Sequence, residues 1–169
     1  LDVTYAVGLG EESFPTQSAS WADFDRDGDL DLYVGNEAFP CQLFENNGGK
    51  FIEITEKAGV INGGPTKAVA WGDYDNDGWP DIYVSNLGGA NLMYRNQHDG
   101  TFVNVAKELG LEGPYFSFPI WFRDANNAGL LELYVSSYKP DLEKVVGDYL
   151  GATKTTTPIR FTLVSHLER

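Results

Sequence analysis

Asp23, Asp25, Asp27 and Asp31 occupy the odd positions of Asp23-Phe24-Asp25-Arg26-Asp27-Gly28-Asp29-Leu30-Asp31, skipping only Asp29. Asp73, Asp75, Asp77 and Asp81 repeat that spacing in Asp73-Tyr74-Asp75-Asn76-Asp77-Gly78-Trp79-Pro80-Asp81. Carboxylates alternating so closely suit a hard divalent cation, Ca²⁺ above others, which takes about six to eight oxygens at roughly 2.3–2.6 Å. A tight turn delivers them when positions 1, 3 and 5 point inward, a backbone carbonyl serves at position 7 and a carboxylate closes the cage at position 9. The carbonyls at position 7 belong to Asp29 and Trp79, so side-chain identity there is free. Gly28 and Gly78 sit at position 6, where a sharp turn penalises a Cβ. Four carboxylates so close repel one another, so the empty turn is expected to be poorly ordered. A solvated acidic turn would account for one copy. Two copies with the same ligand spacing point to calcium.

An EF-hand does not fit. That loop needs a Glu at position 12, which is Val34 and Val84 here, and helical flanks. Ala68-Val69-Ala70-Trp71 and Asp81-Ile82-Tyr83-Val84 read as strands instead.

A third, altered copy follows. Aligning Leu133-Tyr134-Val135 with Leu32-Tyr33-Val34 puts Asp124, Asn126, Ala128, Gly129, Leu130 and Glu132 at positions 1, 3, 5, 6, 7 and 9. Ala128 offers no oxygen, Asn126 is neutral and Glu132 is one methylene longer. Affinity in such sites follows ligand charge count. This site, Asp124, Asn126, the Leu130 carbonyl and Glu132, is expected to be weak or empty while keeping the fold of its siblings.

The repetition extends beyond the acidic turns. Trp21, Trp71 and Phe122 each precede position 1 by two residues. Leu43-Phe44-Glu45-Asn46 matches Met93-Tyr94-Arg95-Asn96, and the segment from Phe51 to Val60 matches that from Phe102 to Leu111. The opening Leu1–Leu9 resembles that segment again. Each unit reads as four strands: 18–23 and 67–73, 30–35 and 81–85, 41–46 and 91–96, 51–55 and 101–105. Asn47-Gly48-Gly49 and Asp99-Gly100 mark hairpins between the last two. Four-stranded antiparallel units with a period of about forty to fifty residues predict β-propeller blades. The expected fold is all-β, one domain over 1–169, about three blades per chain near 16–60, 65–111 and 114–165. Residues 1–5 are expected to be a closing strand, 141–150 a short helical insertion and 158–164 a further strand.

These motifs resemble FG-GAP/VCBS repeats, the calcium-loop blades of integrin α-subunit propellers and of many bacterial surface and secreted proteins. The run D-x-D-x-D-G-x-x-D-hydrophobic-Tyr-Val, then Leu-hydrophobic-x-x-Asn and Gly-x-Phe, is especially similar to bacterial propellers that accompany ASPIC/UnbV domains. The resemblance covers residues 1–137. It implies metal ligation by Asp23, Asp25, Asp27, Asp31, Asp73, Asp75, Asp77 and Asp81, and an acidic turn joining the first two strands of each blade.

Three blades are too few for a ring, since propellers need about four to eight. Either the chain is a piece of a longer propeller, or two copies form a six-bladed ring in which each donates its first strand. The dimer is the favoured expectation, because an open stack leaves apolar faces and unpaired edges.

Lys+Arg number 12 against Asp+Glu 25, a net charge of −13, and two bound Ca²⁺ would bring it to −9. Such a surface disfavours nucleic acid and anionic membranes. Cys41 is the sole cysteine, so an internal disulfide is excluded; it reads as a small buried hydrophobe on a strand. No run approaches the roughly eighteen apolar residues of a membrane span, and a start without Met or a readable signal peptide leads to the expectation of a mature or trimmed segment. Moderate-affinity calcium sites fill where calcium is millimolar, which favours an extracytoplasmic location (secreted, periplasmic or cell surface).

His98, expected in a solvated hairpin turn, and His166 are the only histidines, and neither joins a readable catalytic constellation. A saturated calcium cage leaves no open Lewis-acid position. The leading expectation is a non-catalytic calcium-stabilised scaffold for protein-partner recognition or adhesion. A lectin-like carbohydrate-binding propeller comes second and a polysaccharide-active enzyme a distant third. Trp21, Trp71, Tyr33, Tyr83 and Tyr134 recur at equivalent places and read as packing. Trp79, Tyr115, Phe116, Phe118 and Trp121 do not recur, and are the candidates for a binding face.

Overall fold

A computed structural model describes residues 1–12, 14–137 and 160–164. Among these residues the fold is all-β but for one turn of helix. The first sheet runs β1 (Thr16–Ala22), β2 (Asp31–Asn36), β3 (Gln42–Asn46) and β4 (Phe51–Glu53), each strand antiparallel to its neighbour in sequence order. A helix, α1 (Thr55–Ala58), follows. The second sheet repeats the plan with β5 (Thr66–Gly72), β6 (Asp81–Asn86), β7 (Leu92–Asn96) and β8 (Phe102–Asn104). The third holds β9 (Ser117–Arg123), β10 (Glu132–Ser137) and β11 (Arg160–Val164). Every strand expected between residues 18 and 105 is present, its ends moved by one or two positions. The expected helix at 141–150 and His166 lie outside the described residues.

The repeat is also kept in register. Ala22 pairs with Asp31, Gly72 with Asp81 and Arg123 with Glu132, so each acidic turn closes a hairpin between the first two strands of its sheet. Both complete sheets carry an irregularity at the same place, between Thr16 and Ser18 and between Thr66 and Ala68.

Two apolar layers stack the sheets. Tyr33, Leu43, Ile54, Ala58 and Val60 of the first repeat meet Val69, Trp71, Ile82, Val84, Tyr94 and Phe102 of the second. Tyr83, Met93, Val105, Ala106 and Leu111 then meet Ile120, Phe122, Leu133 and Val135. Cys41 is buried in the first layer, its thiol 3.2 Å from the Thr66 hydroxyl. Two buried hydroxyls are satisfied by equivalent bonds: that of Tyr33 donates to the Val60 carbonyl and that of Tyr83 to the Leu111 carbonyl, both at 2.9 Å.

Residues 1–5 form no strand. Thr4–Gly8 make a turn in which the Leu9 N–H reaches the Thr4 carbonyl. Val60 reaches Thr55 and Leu111 reaches Ala106 in the same way, around Gly59 and Gly110. Gly8, Gly59 and Gly110 all have left-handed φ, of 93°, 75° and 68°. The likeness of Leu1–Leu9 to the later segments is thus a likeness of this turn, and α1 occupies part of what read as the fourth strand. The turn is held against β4 by a bond from the Phe51 N–H to the Val7 carbonyl.

Small residues set how closely the sheets approach. A Cβ at Gly72 would lie 2.5 Å from the Phe122 ring. Gly72→Ala should cost about 1–3 kcal/mol, as overpacking does. The measurement is the urea midpoint, and Phe122→Leu in the same chain should recover part of the loss. A wild-type midpoint for Gly72→Ala would contradict the packing.

Candidate metal centre

Each acidic turn is shaped before any ion is considered. Arg26, Asn76 and Asn127, at position 4, all adopt left-handed backbone (φ 64°, 61° and 57°). Gly28, Gly78 and Gly129 do so at position 6 (φ 99°, 90° and 79°). These two reversals turn the flanking carboxylates inward. Asn tolerates that conformation and Gly is indifferent to it, but Arg26 holds it at a cost. The position-1 carboxylates then accept the N–H of position 6: Asp23 from Gly28 at 3.2 Å, Asp73 from Gly78 at 2.9 Å and Asp124 from Gly129 at 2.8 Å.

Position 9 ties the turn to the sheet. Asp31 Oδ2 accepts the Phe24 N–H at 3.0 Å and its Oδ1 the Asn46 N–H at 2.8 Å. Asp81 does the same with Tyr74 at 3.1 Å and Asn96 at 2.9 Å. Glu132 accepts from Ala125 at 3.0 Å. Asp31 and Asp81 are fully buried, which disfavours their charged forms. Burial, only partly offset by those N–H groups, pushes Asp31 up to about 6 and Asp81 to about 7. Burial also raises Asp25, helped by the charges of Asp27, Glu45 and Asp23. Asp75 is raised by burial, then by Asp77 and Asp73.

Three carboxylates converge in each complete turn. Ligand oxygens of Asp23, Asp25 and Asp27 lie within 4.8 Å of one another, as do those of Asp73, Asp75 and Asp81. Oxygens on a common Ca²⁺ are separated by at most about 4.6–5.2 Å, twice the bond length. Asp23 Oδ1 is buried without a hydrogen-bond partner, a costly arrangement that a cation would relieve. The donor set therefore fits the ion. Asp31 and Asp77 stand outside these trios: Asp77 Oδ2 lies 2.7 Å from His98 Nε2, whereas Asp31 makes the same two backbone bonds as Asp81, which does join its trio. The Asp29 carboxylate accepts from the Gly48 N–H at 2.9 Å. In the third turn only Asp124 and Glu132 carry charge, and Glu132 also takes the Asn126 amide at 3.2 Å.

The family model for FG-GAP-like repeats matches residues 23–84 and again 73–135, together more than half the chain. The chain belongs to the FG-GAP-like repeat family. No curated protein matches it. FG-GAP-like repeats occur in integrin-like adhesion and recognition domains, and no helix among the described residues is long and apolar enough to cross a membrane.

Some residues gain roles that sequence reading did not give them. His98, expected to be solvated, stacks on Trp79 at 4.8 Å as well as meeting Asp77. The Arg26 guanidinium lies 5.4 Å from the Trp79 ring centre. Trp79 is thus occupied by its own chain, which weakens the case for it as a sugar-stacking face. Trp121 stacks on Tyr134 at 5.4 Å. Asn46 and Asn96 hold the closing aspartates, and their recurrence was the signal for that role.

The raised aspartates give a pH dependence of known sign. Asp31 and Asp81 bind protons more tightly folded than at the ordinary value of 3.8. The metal-free protein therefore gains stability as pH falls from about 7 toward 4, and loses it as pH rises through the folded values. Melting in EDTA should move to higher temperature between about pH 7.5 and pH 5. A melting temperature that falls over this interval would oppose the assignment.

Proposed function

We propose that this chain is a non-catalytic, calcium-stabilised β-propeller scaffold that presents loops to a protein partner outside the cytoplasm. The observation that carries the reading is the pair of converging aspartate trios, with a buried carboxylate oxygen of Asp23 lacking a partner. Asp23, Asp25, Asp27, Asp31 and the Asp29 carbonyl would hold one ion; Asp73, Asp75, Asp77, Asp81 and the Trp79 carbonyl the other. A bound Ca²⁺ supplies charge neutralisation and cross-linking of the turn rather than reaction chemistry. Two copies forming a six-bladed ring belong to the same reading. Its support is Trp21, 50% exposed on the outer face of the first sheet, where its counterpart Trp71 donates its indole N–H to the Ser20 carbonyl of the preceding sheet at 3.0 Å. Such a ring would close by packing of sheet on sheet, since residues 1–5 form a turn. A light-scattering mass equal to one chain in calcium would exclude it.

Calcium should raise the melting temperature substantially over EDTA, since a ligand at a hundred times its Kd adds about 2.7 kcal/mol per site. Asp25→Ala and Asp75→Ala should each remove part of that shift, and Asp124→Ala little of it. Superimposable melts with calcium and with EDTA would refute the scaffold role.

A further inference from the structure

The Asn96 side chain joins the two complete turns. Asn96, at the end of β7, is 3% exposed and belongs to the second repeat. Its N–H donates to Asp81 Oδ1 at 2.9 Å, and its side-chain Nδ2 donates to the Pro80 carbonyl at 3.1 Å. The same Nδ2 also donates to the Phe24 carbonyl at 2.9 Å, inside the acidic turn of the first repeat. The Phe24 N–H in turn donates to Asp31 Oδ2. A continuous path therefore runs from Asp81 through Asn96 and Phe24 to Asp31. A second path lies beside it: Arg26, at position 4 of the first turn, lies over Trp79, at position 7 of the second. Asn46, the counterpart of Asn96, bonds within its own repeat: its N–H donates to Asp31, its Nδ2 to the Leu30 carbonyl, and its Oδ1 accepts the Gly49 N–H.

We infer that Asn96 is a positioning residue that couples the two cation turns, so that filling one tightens the other. This rests on the calcium reading above. An ion in the second turn fixes Asp81 and, through it, the Asn96 amide. That amide then holds the Phe24 peptide, whose N–H orients Asp31. A turn already ordered loses less conformational freedom when its own ion arrives, which is positive cooperativity without a large change of shape. The opposing effect, the lessened negative field felt by a second cation, weakens as salt is raised.

The test is calcium calorimetry on the full chain at physiological salt. Asp75→Ala gives the affinity of the first turn alone, Asp25→Ala that of the second, and wild type gives the product of both steps. Wild type should exceed the product of the isolated affinities by roughly 5- to 20-fold, within the usual range of coupling between sites. In the Asn96→Ala background that excess should fall to about one, whereas Asn46→Ala should keep it. Should Asn96→Ala fail to fold by circular dichroism, Arg26→Ala should still reduce the excess. Independent sites in wild type, or an excess unchanged by Asn96→Ala, or by Arg26→Ala where Asn96→Ala does not fold, would overturn the coupling while leaving calcium binding intact. No heat of calcium binding in wild type would instead overturn the calcium reading, and the coupling with it.

Discussion

The carboxylate that closes each acidic turn is buried at the junction of three structural parts. Asp31 and Asp81 each end an eight-residue excursion, begin the second strand of a sheet, and accept an N–H from the end of the third strand. Their other oxygen accepts an N–H from position 2 of the turn, which fixes where the position-1 and position-3 aspartates point. The turn and the sheet are therefore not separable features. Removing the carboxylate would unpair two buried N–H groups, the kind of loss that costs more than the bond itself contributes. Ionising it is also costly, because burial opposes the charge, and the neighbouring aspartates add to that opposition. A nearby divalent cation would favour the charged form and so let the hinge carboxylate remain ionised at neutral pH.

Stacking follows from the same arrangement. Because position 9 fixes the register of the first hairpin, the aromatic residue two before position 1 appears at the same height in each sheet. Trp71 meets Phe24 and Tyr33 of the preceding repeat, and Phe122 presses on Gly72. The short side chains Ser20 and Gly72 let these rings come close to a neighbouring backbone. Asn96 then reaches from one turn to the next only because the sheets are held at that spacing. Loops carried on such a stack inherit their placement from the registers beneath them.

Most of this order was legible in the chain because a period of two along strands and a fixed spacing of turn residues are local properties. The acidic turns, their flanking strands and the buried roles of Tyr33, Tyr83 and Cys41 follow from that kind of reading. What escaped it depends on partners distant in sequence or on backbone sign. A closing strand at residues 1–5 is the expectation when the likeness of Leu1–Leu9 to Phe51–Val60 is credited to β4; the shared element is the turn around Gly8 and Gly59. The left-handed position 4 is suggested by Asn76 and Asn127 but masked by Arg26. The pairing of His98 with Asp77 crosses from a hairpin to an acidic turn, and no spacing rule connects them. Asn46 and Asn96 were visible as a repeated letter, yet their difference, one contained and one bridging, arises only from the stacking of sheets.

The third turn separates the shape of the motif from its charge. It keeps the left-handed Asn127 and Gly129, the bond from the Gly129 N–H to Asp124 and the bond from the Ala125 N–H to Glu132. The Ala128 N–H donates to Asp124 as the Asp77 N–H donates to Asp73. Yet Asn126 and Ala128 stand where the other turns place charged aspartates. The backbone path thus needs the position-1 acceptor, the two reversals and the closing carboxylate, but not four negative charges. The position-3 oxygen accepts the position-5 N–H whether it comes from Asp25 or from neutral Asn126, so that bond needs no charge. Asp27 and Asp77 add a bond from the position-7 N–H that Ala128 cannot make, and the extra charges add mutual repulsion, a cost in the absence of an ion. A neutralised third turn avoids that cost and gives up the ligands with it. Hydrogen bonds accordingly set the form of the turn, and a bound cation would govern how much stability that form contributes.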